Sequence, residues 1–146
     1  MRRIINQELP DGSIRQVQPF HISLEGLKTA VLCRDERDYD AMVKILCIAA
    51  RRKNVIVIIY AVVSNHCHLA VLATSQEDAY ACGQEIKKMY GMWFNRRYSE
   101  KAIMKGVDVK AILLDRLSCH VPERTTRRAR SESFLSHQAG TGADHA

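Results

Sequence analysis

The stretch Asn65-His66-Cys67-His68-Leu69-Ala70-Val71 decides the fold, because it follows directly on the apolar run Val55-Ile56-Val57-Ile58-Ile59-Tyr60-Ala61-Val62-Val63. That run is too β-branched to favour a helix and has the length of a buried strand. Ser64-Asn65 breaks it with turn residues. If residues 66–71 form the returning strand, side chains alternate with period two. His66 and His68 then share one face, while Cys67, Leu69 and Val71 enter an apolar core. The two histidine α-carbons lie roughly 6.5–7 Å apart in such a strand, a separation at which two imidazoles can chelate one divalent ion. The competing reading is two strand histidines, each satisfied by its own hydrogen bond. Two imidazoles on one face of an otherwise apolar strand favour a metal or phosphate role, because burying both without partners is costly.

The chain has 146 residues, enough for one domain and too few for two of ordinary size. A hydrophobic share of 47% can fill a core, and a net charge of +6 fits a polyanion-binding protein without requiring one. The five cysteines, Cys33, Cys47, Cys67, Cys82 and Cys119, form no CxxC pair and no zinc-finger spacing. A reduced, cytoplasmic chain is the simplest account. Met1-Arg2-Arg3 is not followed by an apolar signal segment, and no run of about 18 apolar residues exists to span a membrane.

Around the central hairpin the remaining elements fall into order. Residues 1–15, punctuated by Pro10-Asp11-Gly12, read as an irregular lead-in. From Gln16 to Leu24 the chain alternates, with Phe20, Ile22 and Leu24 on one face and His21 and Ser23 on the other. This is a first strand, with Pro19 near its start or on an edge. His21 joins the histidine pair if its face matches, and is otherwise a surface histidine. Asp35 caps a helix whose Tyr39, Met42, Val43, Leu46 and Ala50 recur at steps of three and four, ending near Lys53-Asn54. After Thr74-Ser75, a second helix carries an apolar stripe from Ala79 through Cys82, Ile86, Met89, Tyr90 and Trp93 to Phe94. Lys87, Lys88, Arg96 and Arg97 mark its outer surface and end, either as a solvated face or as phosphate contacts. Residues 107–114 read as a further strand. The order β-α-β-β-α-β predicts an α+β, ferredoxin-like split βαβ: a four-stranded antiparallel sheet with two helices on one face. From Ser118 the composition shifts, with Arg124, Arg127, Arg128 and Arg130 among Ser and Thr, and residues 118–146 are expected to be a disordered basic tail behind a domain at 16–117.

With these pieces in place the chain resembles the single-tyrosine HUH transposases, especially the REP-associated tyrosine transposases. The likeness spans roughly residues 12 to 118. It rests on the block from Tyr60 to Val71, on the second helix from Ile86 to Trp93-Phe94-Asn95-Arg96-Arg97-Tyr98, and on Lys110-Ala111-Ile112-Leu113-Leu114-Asp115. The resemblance implies that His66 and His68 bind Mg²⁺ or Mn²⁺ with a third side chain, the ion polarising a scissile phosphate. It implies a tyrosine nucleophile that forms a phosphotyrosine link to single-stranded DNA, with hairpins at mobile-element ends as substrates. Lys87, Lys88, Arg96 and Arg97 become candidate DNA contacts, and a homodimer is compatible with the family. The family's nucleophile lies on a helix after the fourth strand, with Asn or Gln one turn later. Here the last tyrosine is Tyr98, before that strand, and the only later Asn or Gln is Gln138. Tyr98 is therefore the weak candidate for catalysis, and the shift in composition near residue 118 is what a frameshift produces. The alternative function is a DNA-binding remnant that cuts no strand. An unrelated His-x-His metalloenzyme such as a cupin would need many short strands instead of two long helices.

Overall fold

The computed structural model describes residues 4–27, 30–102 and 104–112. In chain order these form β1 (Ile5–Glu8), β2 (Ile14–Glu25), α1 (Glu36–Arg52), β3 (Ile56–Val62), β4 (His66–Ala73), α2 (Gln76–Tyr98) and β5 (Asp108–Ala111). The β-branched run becomes β3, and Ser64-Asn65 turns it back into β4, with Val62 opposite Cys67 and Ala61 opposite His68. β4 pairs on its other side with β2, which pairs in turn with β5, all antiparallel. The core sheet thus runs β3-β4-β2-β5. This is the ferredoxin-like α+β arrangement expected from the element order.

Alternation fixes which face is buried. Phe20, Ile22 and Leu24 of β2 join Cys67, Leu69 and Val71 of β4 and Val57, Tyr60 and Val62 of β3 in one core. Met42, Leu46 and Ala49 of α1 and Cys82, Ile86, Tyr90 and Phe94 of α2 close it from above, so both helices cover the same face of the sheet. The helix ends follow from the local sequence. Asp35 accepts from the Asp38 N–H at the start of α1, and Ser75 accepts from the Asp78 N–H at the start of α2. Ser99 ends α2 in the left-handed conformation, with φ 54°, and its N–H returns to the Asn95 carbonyl at 2.8 Å.

Two expectations need correction. Part of the lead-in is a strand: β1 pairs with the first residues of β2, Ile5 opposite Val17 and Glu8 opposite Ile14. Pro10-Asp11-Gly12 does not end regular structure but turns a hairpin, with Gly12 at φ 87° and the Asp11 carboxylate accepting from the Ser13 N–H at 2.9 Å. Pro19 lies neither at the start nor on an edge; it is buried within β2, opposite Leu72. The carbonyl of Pro19 accepts from Ile112 N–H at 3.0 Å, on the β5 side. Backbone N and O of one residue point to the same edge of a strand, so the missing N–H faces the last rung of β5 and β4 loses nothing. The last expected strand residues, Leu113 and Leu114, and the expected tail 118–146 with Gln138 lie outside the described residues.

Candidate functional site

Because Cys67 and Leu69 are drawn into the core, His66 and His68 stand on the sheet face that the helices leave open. Both are half-buried, with ring centres 4.8 Å apart and planes at 76°. His21, on the open face of β2, meets them: its Nε2 lies 3.1 Å from Nδ1 of His68, and the two rings stack at 5.0 Å. Asn65 Oδ1 is 2.8 Å from His66 Nδ1. Glu25, opposite His66 in the register, is ion-paired to Lys105 at 3.1 Å. The Lys105 hydrogen bond and charge hold the Glu25 carboxyl below its usual range, and His66 and His68 add to that effect. Beneath, burial pushes the Cys67 thiol up to about 12, so it stays protonated and belongs to the core.

Among the described residues, no group of three or more His, Cys, Asp or Glu is placed so that it could hold a metal ion. The face offers nitrogen donors, and Glu25 is engaged by Lys105. Mg²⁺ takes oxygen ligands in octahedral geometry, so these residues fit the Mg²⁺ implied by the resemblance poorly.

The tyrosines lie elsewhere. The chain has five, Tyr39, Tyr60, Tyr80, Tyr90 and Tyr98, and each is on α1, on α2 or, for Tyr60, on the core side of β3. Tyr90 is fully buried, with its hydroxyl donating to the Leu32 carbonyl and 3.5 Å from Cys33 Sγ. Tyr98 donates to Asp38, and the Arg34 guanidinium lies 4.2 Å from its ring centre. Burial, then the hydrogen bond to the Asp38 carboxylate, push the Tyr98 phenol up to about 12, the wrong direction for a nucleophile. The sheet therefore separates every tyrosine of the chain from the histidine pair.

The basic residues divide. Lys87 and Lys88 line an open groove on α2 with Gln84, Met92, Asn95 and Lys101. Arg96 is exposed near the end of the same helix. Arg97 is committed elsewhere, to Asp35 at 2.5 Å and to Asp38 at 2.7 Å. The groove lies on the helix side, so the expected cations and the expected metal pair occupy opposite faces of the sheet. Sequence reasoning missed Lys101 and the role of Asp38. The signal for Asp38 was a carboxylate four residues before Met42, on the buried stripe of α1.

No protein-family model and no curated protein matches the chain. Solved structures do. A REP-associated tyrosine transposase bound to a REP hairpin superposes with a TM-score of 0.55 at 15% identity, over 83% of this chain and 66% of that one. A candidate transposase from Deinococcus radiodurans R1 gives a TM-score of 0.53 at 15% identity, over 84% of this chain and 91% of that one. The chain thus has a transposase-like fold, and it spans just under two thirds of the hairpin-bound protein.

Proposed function

We propose that this chain is a transposase-like DNA-binding protein that holds hairpin or single-stranded DNA and does not itself form a phosphotyrosine link. The observation that carries this reading is the likeness of fold to a transposase bound to a REP hairpin. The α2 groove suits the backbone of such a ligand. Lys87, Lys88 and Lys101 neutralise phosphates and release counterions, while Gln84 and Asn95 donate to phosphate or sugar oxygens. Arg96 extends the same basic surface, whereas Arg97 serves the α1–α2 contact. A divalent ion on His66 and His68 belongs to the proposal as a bound ligand, and no step of the DNA contact depends on it.

Strand cleavage is disfavoured by geometry. The nucleophile must reach the same phosphate as the metal-binding face, and Tyr98 and Tyr90 are held within the helix layer behind the sheet. The test mixes the protein with labelled hairpin DNA and Mn²⁺ and compares native with denaturing gels. The expected result is a native shift with no denaturation-resistant adduct. An adduct, mapped to any tyrosine, overturns the non-catalytic reading; no native shift overturns DNA binding. Sedimentation of the same samples reads whether the bound form is a dimer.

A further inference from the structure

The outer face of α2 carries an aromatic ring in line with its cations. Tyr80, Gln84, Lys88, Gly91 and Asn95 follow one another at steps of four, four, three and four, which sets them on one stripe of the helix. Gln84, Lys88, Gly91 and Asn95 line the groove of about 470 Å³, and Tyr80 stands one turn before it. Tyr80 is 45% exposed, and its hydroxyl accepts from Gln84 Nε2 at 2.6 Å. A single exposed aromatic residue ordinarily needs no explanation. This one is tethered by a side chain of the groove itself. Gly91 supports the same assignment. Glycine disfavours a helix interior relative to alanine, and a Cβ at Gly91 would meet nothing within 4 Å, whereas one at Gly83 would strike Val107. Packing therefore accounts for Gly83 and not for Gly91, whose missing side chain keeps the middle of the stripe low.

We infer that Tyr80 is a stacking platform for an unpaired nucleobase, held in place by Gln84 at the head of a strand track in which Lys87, Lys88 and Lys101 take the phosphates. The inference deepens the proposed function and rests on its assignment of the α2 groove to DNA. From Tyr80 to Asn95 the helix rises about 22 Å, so the ring and the far end of the groove contact different nucleotides of one strand. Every base has a π-face, and a ring beside a basic groove holds a strand without reading its sequence. In a duplex both faces of a base are covered by its neighbours in the stack, so Tyr80 reaches only a base in a loop or a single strand. The lysines supply affinity for any phosphate backbone, and Tyr80 supplies the preference for an unpaired strand.

The test follows the fluorescence anisotropy of a labelled oligothymidylate, and of a blunt duplex of equal length, over a salt series. The full chain is compared with Tyr80→Ala, Tyr80→Phe and Lys88→Ala, each shown to be folded by circular dichroism. The oligothymidylate is expected to bind more tightly than the duplex. Tyr80→Ala is expected to weaken oligothymidylate binding about tenfold and to leave the slope of log K against log salt and the duplex affinity unchanged. Tyr80→Phe keeps the ring and should stay within about threefold of the unaltered chain. With one thymine replaced by 5-iodouracil, irradiation should crosslink the strand to Tyr80, located by mass spectrometry of the peptides. Equal losses in Tyr80→Ala and Tyr80→Phe, or an equal loss for the duplex, would overturn stacking. Full affinity in Tyr80→Ala would do the same, and a salt slope still lowered by Lys88→Ala would then leave the α2 groove standing as a phosphate site without its base platform. If neither Tyr80→Ala nor Lys88→Ala changes oligothymidylate binding, the inference and the groove assignment fail together.

Discussion

The hydroxyl of Tyr98 donates to Oδ2 of Asp38, 60 residues earlier in the chain, and this joins the end of α2 to the first turn of α1. The same carboxylate accepts from Arg97 at 2.7 Å, from Trp93 Nε1 at 3.3 Å and from the backbone N–H of Arg34 at 2.9 Å. Asp38 has no exposed surface, so these donors stand in for water around a buried charge. Tyr98 is thus a structural residue of the helix layer. Tyr98→Phe is expected to cost about 2 kcal/mol in urea unfolding, the range for a hydrogen bond to a charged group. It should leave the native shift with hairpin DNA unchanged; a variant of full stability that loses a covalent DNA adduct would reverse the assignment.

Removing the carboxylate should cost more. Asp38→Ala removes the acceptor of Trp93, Tyr98 and the Arg34 N–H, and one of the two carboxylates paired with Arg97, and is expected to destabilise by about 3 kcal/mol. Acidification should act on the same cluster. The Arg97 hydrogen bond holds Asp35 at about 2. For Asp38, burial raises the carboxyl, but the hydrogen bonds from Tyr98, Arg34, Trp93 and Arg97 together bring it below its usual value. A carboxylate depressed in the folded state contributes stability above its unfolded value near 4, and that stability is lost as pH falls toward the folded value. The unfolding midpoint should therefore fall between roughly pH 4 and pH 2. The single tryptophan, Trp93, lies in this cluster and reports the transition by fluorescence. An Asp35→Asn variant that keeps the full acid dependence would remove Asp35 from the account.

Much of this architecture was legible because alternation and the 3.6-residue stripe report burial directly. The Ile-Val run, the His66–His68 alternation and the stripe Ala79-Cys82-Ile86-Tyr90-Phe94 carry their own partners in the pattern. Pro19 was misplaced because its cost depends on which edge its missing N–H faces, and that is set by where β5 stops. The β1 hairpin was missed because Ile5-Asn6-Gln7-Glu8 is short and mostly polar. The contact between His21 and His68 depends on the register of strands 47 residues apart, so only the shared face was predictable. Arg97 and Arg96 looked alike in sequence; the carboxylates that capture Arg97 come from the first turn of α1 and the residue that caps it.

That distinction between arginines gives a test of the proposed DNA surface. Lys87→Ala, Lys88→Ala and Lys101→Ala should each weaken hairpin binding at moderate salt and lower the slope of log K against log salt by about 1. The loss should be similar for unrelated hairpin sequences, because phosphate contacts carry no base information. Arg97→Ala should instead lower stability and leave the slope unchanged. Filter binding over a salt series separates the two behaviours. Unchanged slopes in all three lysine variants would take the DNA off the α2 groove.

The seam between α2 and the segment leading into β5 gives a prediction whose sign is set by steric contact. Gly83 is buried within α2, where glycine costs about 1 kcal/mol relative to alanine in helix propensity. A Cβ there would come within 2.4 Å of Val107 Cγ1 and 3.2 Å of Ile22 Cγ2. Val107 is β-branched and stiff at χ1, and Ile22 is fully buried between β4 and β5, so neither can yield cheaply. Overpacking of this kind costs about 1–3 kcal/mol, which outweighs the propensity gain. Gly83→Ala is therefore expected to be destabilising in urea unfolding. Truncating Val107 as well removes the closest contact, so Gly83→Ala with Val107→Ala should be more stable than additivity of the two single variants predicts. Strict additivity would mean that α2 and the 107 segment do not meet at Gly83.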